Sequence, residues 1–177
     1  ISLESLTAFQ YIDLFTNDSS TFRVQYYKNS SLKFVGKIFP QSYSEPYTEY
    51  QNYPINVIAT DGLVELDMID FLDDNGIRFN GIQKSIQLIA LALSKLQFNL
   101  NIRCAANIYA ISMNQTNADD PLDQAYIDTD AYYQGQEALS CLEVIKRILR
   151  PYAASICQWD GYWWIIRHEE LVGASVP

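Results

Sequence analysis

Imidazole is nearly missing from this chain: 177 residues carry one histidine, His168. A nucleophilic serine or cysteine needs an adjacent base. The one imidazole on offer lies in "IRHEE", at the polar end of a predicted strand beside Glu169 and Glu170, a position that reads as surface. The three cysteines, Cys104, Cys141 and Cys157, are odd in number and form no CxxC pair, so they suggest neither a disulfide framework nor a zinc site. They are expected to be reduced, buried small hydrophobes from a reducing compartment. The seven glycines stand singly, which leaves no glycine-rich phosphate loop.

Positive charge is also short. Twelve Lys and Arg face twenty-one Asp and Glu, for a net charge of −9. Binding a phosphate backbone depends on clustered cations, and the nearest cluster, Lys146, Arg147 and Arg150, reads as the solvated face of a helix. Nucleic acid is therefore not an expected partner. The longest apolar run, Ile86 to Leu93, contains Gln87 and falls far short of the about 20 residues a membrane span needs. No basic region followed by an apolar one opens the chain, so no signal peptide is expected. It begins at "ISLES" without Met and ends at "VGASVP", so a fragment or processed piece is expected.

Hydrophobic residues make up 49% and aromatic ones 14%, with thirteen tyrosines. That is ample material for a core, and such tyrosine content suits binding or subunit-contact surfaces. The opening "ISLESLTAFQYIDLF" places Leu3, Leu6, Phe9, Ile12 and Phe15 three apart, which predicts a short helix or turns. "TFRVQYY" and "LKFVGKIF" around "KNSS" predict a β-hairpin. In its second arm Phe34, Gly36 and Ile38 share a face, and Gly36 marks a bulge or a close backbone approach. "PQSYSEPYTEYQNYP" reads as an extended, functional or covering loop, and "INVIAT" as a strand.

Asp61-Gly62 then turns the chain into "LVELDMIDFL", read as a short helix with a stripe of Leu63, Leu66, Ile69 and Leu72. Asp61 is placed to cap its first turn, worth about 1 kcal/mol, with Gly62 easing the turn. Asp67, Asp70 and Asp74 then fall on one exposed helix face. Their spacing is helical, not the alternation of a calcium loop, so no metal is expected. No local spacing singles out a pair of carboxylates for glycoside chemistry, and no cofactor site is visible. The chain reads as a non-enzyme.

In the second half, "GIQKSIQLIALALSKLQ" is a helix apolar nearly all round, and "FNLNIRCAANIYAISM" a strand or hairpin. "ALSCLEVIKRILRPYA" is a clearer amphipathic helix through Leu139, Leu142, Ile145, Ile148 and Leu149, ended or kinked by Pro151. "ASICQWDGYWWIIRHEE" is a hairpin about Asp160-Gly161. Ser85 and Ser140 align in a loose helix–strand repeat, and "NQTNADDPLDQAYIDTDAYYQGQE" between the units reads as a long surface excursion. The expected fold is α+β, with antiparallel hairpins packed on two main helices. Residues 1–80 are expected to form a strand-rich half and 81–177 two helix–strand units, either as two parts or as one joint domain.

The stretch "LKFVGKIFPQSYSEPYTEYQNYPINVIATDGLVEL" resembles a segment of tail, baseplate hub-type structural proteins of phages and prophages of Bacteroides-type bacteria. The resemblance is carried by Phe34 to Gly36, Glu45 to Tyr47 and Ala59 to Leu63, followed by two helices and a closing hairpin from Trp159 to Arg167. Its motifs are structural. It implies a virion tail protein made in the bacterial cytoplasm. It also implies assembly with copies of itself, as a ring or trimer of the full-length protein, and with other tail proteins. Tyrosine and tryptophan content keeps a carbohydrate- or cell-surface-binding module as the alternative, and a cell-wall hydrolase as a remote one. In "YWWIIR" both strand faces are apolar. Tyr162, Trp164 and Ile166 are assigned to the core. Trp163, Ile165 and Arg167 are expected to meet either the rest of this chain or a neighbouring subunit; Arg167 beside Trp163 favours the latter, so with Tyr43, Tyr47 and Tyr50 of the long loop they are the candidate subunit interface.

Overall fold

The computed structural model describes residues 1–15, 18, 21–39, 52–116 and 119–171. The fold is α+β, with 27% helix and 34% sheet, and the chain divides into two compact units, Ile1–Gly62 and Leu63–Pro177.

Unit 1 is built from strands. β1 (Ser2–Ser5) is followed by turns and a 3₁₀ turn at Ile12–Leu14. The spacing of three belongs to these tight turns. It does not make a buried stripe, since Leu6, Phe9, Ile12 and Phe15 are all exposed. β2 (Arg23–Lys28) and β3 (Ser31–Ile38) form the expected hairpin. Asn29 and Ser30 join them with φ of 52° and 60°, the left-handed pair that matches the strands' own twist in a two-residue turn.

"INVIAT" does not run as a single strand. β4 (Tyr53–Asn56) pairs with β1 and β5 (Ala59–Thr60) pairs with β3. The chain therefore changes sheets at Val57 and Ile58. Val57 sits in the small core that Ile38 and Ile55 complete, with Leu3, Tyr11, Leu14 and Phe22 packed around it.

Gly36 shows which of its two expected roles applies. The bulge in this hairpin lies between Tyr26 and Tyr27. At Gly36 an added Cβ would lie 2.4 Å from the Thr60 carbonyl oxygen and 2.6 Å from the Phe34 ring, so the position is a close backbone approach.

Unit 2 opens with a 3₁₀ helix at Leu63–Met68, where an amphipathic α-helix was expected through Leu72. Beyond it, Asp70 bridges Ser140. Asp73 folds an Asx turn, accepting the N–H groups of Asn75 at 2.8 Å and Ile77 at 2.7 Å. The acids therefore do not share a helix face. Asp73 captures the backbone that would have continued the helix.

β6 (Ile82–Lys84) leads directly into α1 (Ser85–Ser94), which buries Leu88, Ile89, Ala92 and Leu93. Gln87 and Ala90 are exposed, so α1 has one buried face and is not enclosed all round. β7 (Ile102–Ala105) is a single strand. The acidic "excursion" carries structure of its own: α2 (Pro121–Gln124), β8 (Tyr126–Asp128), β9 (Tyr133–Gln134) and β10 (Glu137–Ala138). β8 pairs with β6, and Leu122, Thr129 and Tyr132 are buried. Apolar anchors this far apart leave no periodicity for a sequence reading to find.

α3 (Cys141–Leu149) packs on α1 and buries Val144, Ile145 and Ile148. Ser140 is its N-cap, its hydroxyl accepting the Glu143 N–H at 3.2 Å, whereas Ser85 is already the first residue of α1. The two serines are thus out of register as repeats. Pro151 lies in the tight turn Arg150–Tyr152 that follows α3. β11 (Ala154–Trp159) and β12 (Tyr162–Arg167) form the expected hairpin, with φ of 52° at Asp160 and 76° at Gly161. α4 (His168–Leu171) follows. One pairing departs from the antiparallel expectation: β12 runs parallel to β7. A parallel pair needs a long crossover, and the chain from β7 through α3 supplies it.

Gly36→Ala should destabilise unit 1 by about 1–3 kcal/mol, since overpacking here pushes on backbone that cannot rotate away. Urea unfolding followed by tyrosine fluorescence will show an earlier transition.

Candidate functional site

The sheet β11–β12–β7 presents two unlike faces. Successive side chains alternate, and register places Trp163 beside Ile102 and Gln158, and Ile165 beside Ile156 and Cys104. Trp163 is 2% exposed and Ile165 0%. Trp163 stacks on Phe98 with 6.4 Å between ring centroids. The assignment of Trp163 and Ile165 to a subunit interface is therefore corrected: they are core. Arg167, on the same face at the strand's end, is half-buried and ion-pairs with Glu169. Its stem covers apolar surface while the charge reaches out, which explains how an arginine comes to share the core face.

The opposite face looks outward. Tyr162, Trp164 and Ile166 are half-buried, and Trp159 is 64% exposed. Parallel pairing sets Arg103 beside Trp164. Its guanidinium lies 3.7 Å from the Tyr162 ring centroid and 5.3 Å from that of Trp164, a cation–π sandwich favourable by about 0.5–1 kcal/mol or more at such sites. The Trp164 indole N–H donates to the Trp159 carbonyl at 3.0 Å, which fixes the indole plane. Among the described residues the Arg103 guanidinium takes part in ring contacts alone, so its N–H donors remain available to a ligand or partner. Arg103 was not singled out from sequence, because only a pairing across about sixty residues brings it to the tryptophans.

Asp160 and Gly161 form the tight hairpin turn. At the earlier junction Gly62 has φ of 75° and donates its N–H to the Thr60 hydroxyl at 3.2 Å. Tyr43, Tyr47 and Tyr50 lie outside the described residues.

His168 is exposed at the start of α4. Cys141 is buried, Cys104 half-buried and Cys157 exposed, so the expectation of three buried thiols holds for Cys141 alone. Among the described residues no three His, Cys, Asp or Glu side chains are grouped to hold a metal, and no helix is long and apolar enough to cross a membrane. Lys146, Arg147 and Arg150 are exposed, and Arg147 pairs with Glu143 at 2.8 Å.

Comparison with protein-family models, with curated proteins and with solved structures finds no match to this chain.

Two predictions follow from the burial. Trp163→Ser should cost about 3–5 kcal/mol as a large core truncation, whereas Trp159→Ser should change stability by no more than about 0.5 kcal/mol. Denaturant midpoints of the two variants will separate them.

Burial also pushes the Cys141 thiol from 9.0 up to about 11 and the Tyr132 phenol from 10.0 up to about 12. Both groups hold their protons more tightly folded than unfolded, so their contribution is complete below pH 9 and is lost as pH rises through 11 and 12. The thermal midpoint should therefore fall steadily above pH 9. A midpoint that stays flat to pH 11 would contradict these shifts.

Proposed function

We propose that this chain is a non-enzymatic structural component of a phage or prophage tail, of hub or baseplate type, acting through contacts between protein subunits at the tail tip. The observation that carries this reading is the outward face of Trp159, Tyr162, Trp164 and Arg103. Trp, Tyr and Arg dominate the energetics of protein interfaces, since each buries much area while ordering few torsions or offering a rigid fork of donors. The resemblance of residues 32–66 to tail proteins supplies the setting.

The same face favours a second reading, a carbohydrate-binding surface. The exposed indole of Trp159 offers an apolar plane to a sugar ring, and Arg103 offers donors to its hydroxyls.

Sedimentation velocity of the full chain over a concentration series tests the first reading. The wild type should form oligomers, and the double variant Trp159→Ser with Arg103→Ser should sediment as a folded monomer whose thermal midpoint falls by no more than several degrees, the loss of the Arg103 ring contacts. A wild type that stays monomeric throughout, or a double variant that associates as before, would sink it. Glycan-array binding by a monomer, lost in the same double variant, would replace it with the second.

A further inference from the structure

A second feature of unit 2 lies away from the aromatic face. Between α3 and β11 runs an open trough of about 450 Å³. Its floor is apolar, made by Leu142, Ile145 and Leu149 of α3 and by Ile156 of β11. Three consecutive strand residues, Ala154, Ser155 and Ile156, line it. Side chains alternate between the faces of a strand, so a wall that draws on both faces at once is the strand's edge. β11 is an outer strand, and β12 is its one strand partner among the described residues. An open edge of this kind templates the addition of another strand.

Charge identifies the occupant. Lys146 and Arg150 line the trough one helical turn apart and are exposed. Neither side chain has an ion-pair or hydrogen-bond partner among the described residues, in contrast to their neighbour Arg147. Acids outnumber bases in this chain by twenty-one to twelve, so two adjacent cations without partners point to negative charge brought from outside.

We propose that the trough binds an extended segment of a partner protein. The segment adds to the β11 edge as a further strand, sets an aliphatic side chain on the α3 floor and places a carboxylate between Lys146 and Arg150. Main-chain pairing supplies affinity in such strand addition, and the flanking pocket and charges supply selectivity. The α3 floor and the two cations are not part of the aromatic face, and occupancy of the trough does not require the chain to self-associate.

The test uses the full chain and two fluorescein-labelled octapeptides of alternating threonine and valine, one ending in two glutamates and one in two lysines. By anisotropy the acidic peptide should bind on the order of tenfold more tightly than the basic one, a difference that shrinks as salt screens it. Lys146→Ala with Arg150→Ala should abolish the preference, with far-ultraviolet circular dichroism unchanged. Amide exchange in β11 should slow when the acidic peptide is bound.

Equal binding of the two peptides, or binding of neither, would overturn the proposal. So would unaltered exchange in β11, because the contact would then be charge attraction without strand pairing. Displacement of the acidic peptide by oleate at lower concentration than by unlabelled peptide would reassign the trough to a small amphiphile. Loss of peptide binding as the protein self-associates would reassign it to a second copy of this chain.

Discussion

Trp163 lies nearly parallel to Phe98, with 6.4 Å between the ring centroids and 21° between their planes, and the orientation of the three-stranded sheet depends on that contact. A strand has a side-chain period of two, so seating one residue commits all the others. With Trp163 inside, Ile165 follows it inside, and Tyr162, Trp164 and Ile166 face outward. A slip of one residue would bury Trp164 and strip Arg103 of both aromatic neighbours. The turn at Asp160-Gly161 opposes the slip. Both residues sit at positive φ, and a two-residue turn of that geometry admits a single register. The aromatic face is therefore a consequence of core packing on the other side of the same strand.

The same coupling holds α3 in place. Its N-terminus is fixed by the Ser140 cap and by two backbone bonds to the segment after the 3₁₀ helix, from Cys141 N–H to Ile69 O and from Phe71 N–H to Leu139 O, each 2.8 Å. Phe71 is thereby drawn into the core, where Phe79 packs against it at 4.8 Å and Tyr132 meets it edge-on at 5.9 Å. The acidic run from Asp67 to Asp74 thus contributes less through its charges than through the apolar residues threaded among them. Asp74 still reaches Lys95 at 2.6 Å, but Asp74 is almost fully exposed, and such a pair adds little.

Both two-residue hairpins and the amphipathic α3 were legible in the sequence, because turn chemistry and a polar face each leave a local mark. Which face of "YWWIIR" points inward was not. Neither face carries a polar majority, and Arg167 misleads because a long side chain can line a core face and still send its charge to Glu169. The acidic segments failed in opposite directions. "DMIDFLDDNG" has helical spacing, but Asp73 competes for the backbone and folds a turn. "ADDPLDQAYIDTDAYY" looks like a loop, but it buries Leu122, Thr129 and Tyr132 at intervals too irregular for a pattern. Arg103 lay beyond local reading altogether, since the parallel pairing of β7 with β12 is set by tertiary crossover.

The geometry of the aromatic face constrains any assembly built on it. A patch that meets its own copy closes as a twofold dimer, with each contact made twice. A ring or trimer, as proposed for the full-length protein, would require a heterologous contact, in which this face meets a different surface of the next copy. Arg103 sharpens that requirement. A twofold pairing with its axis through Arg103 would set one guanidinium against another in a desolvated centre, a like-charge pairing that costs several kcal/mol. The surface that receives this face in a ring must therefore be a different one, and it must carry an acceptor for the Arg103 donors. In a chain with twenty-one acidic side chains, that acceptor is more readily a carboxylate of the neighbouring copy than any group on the aromatic face itself.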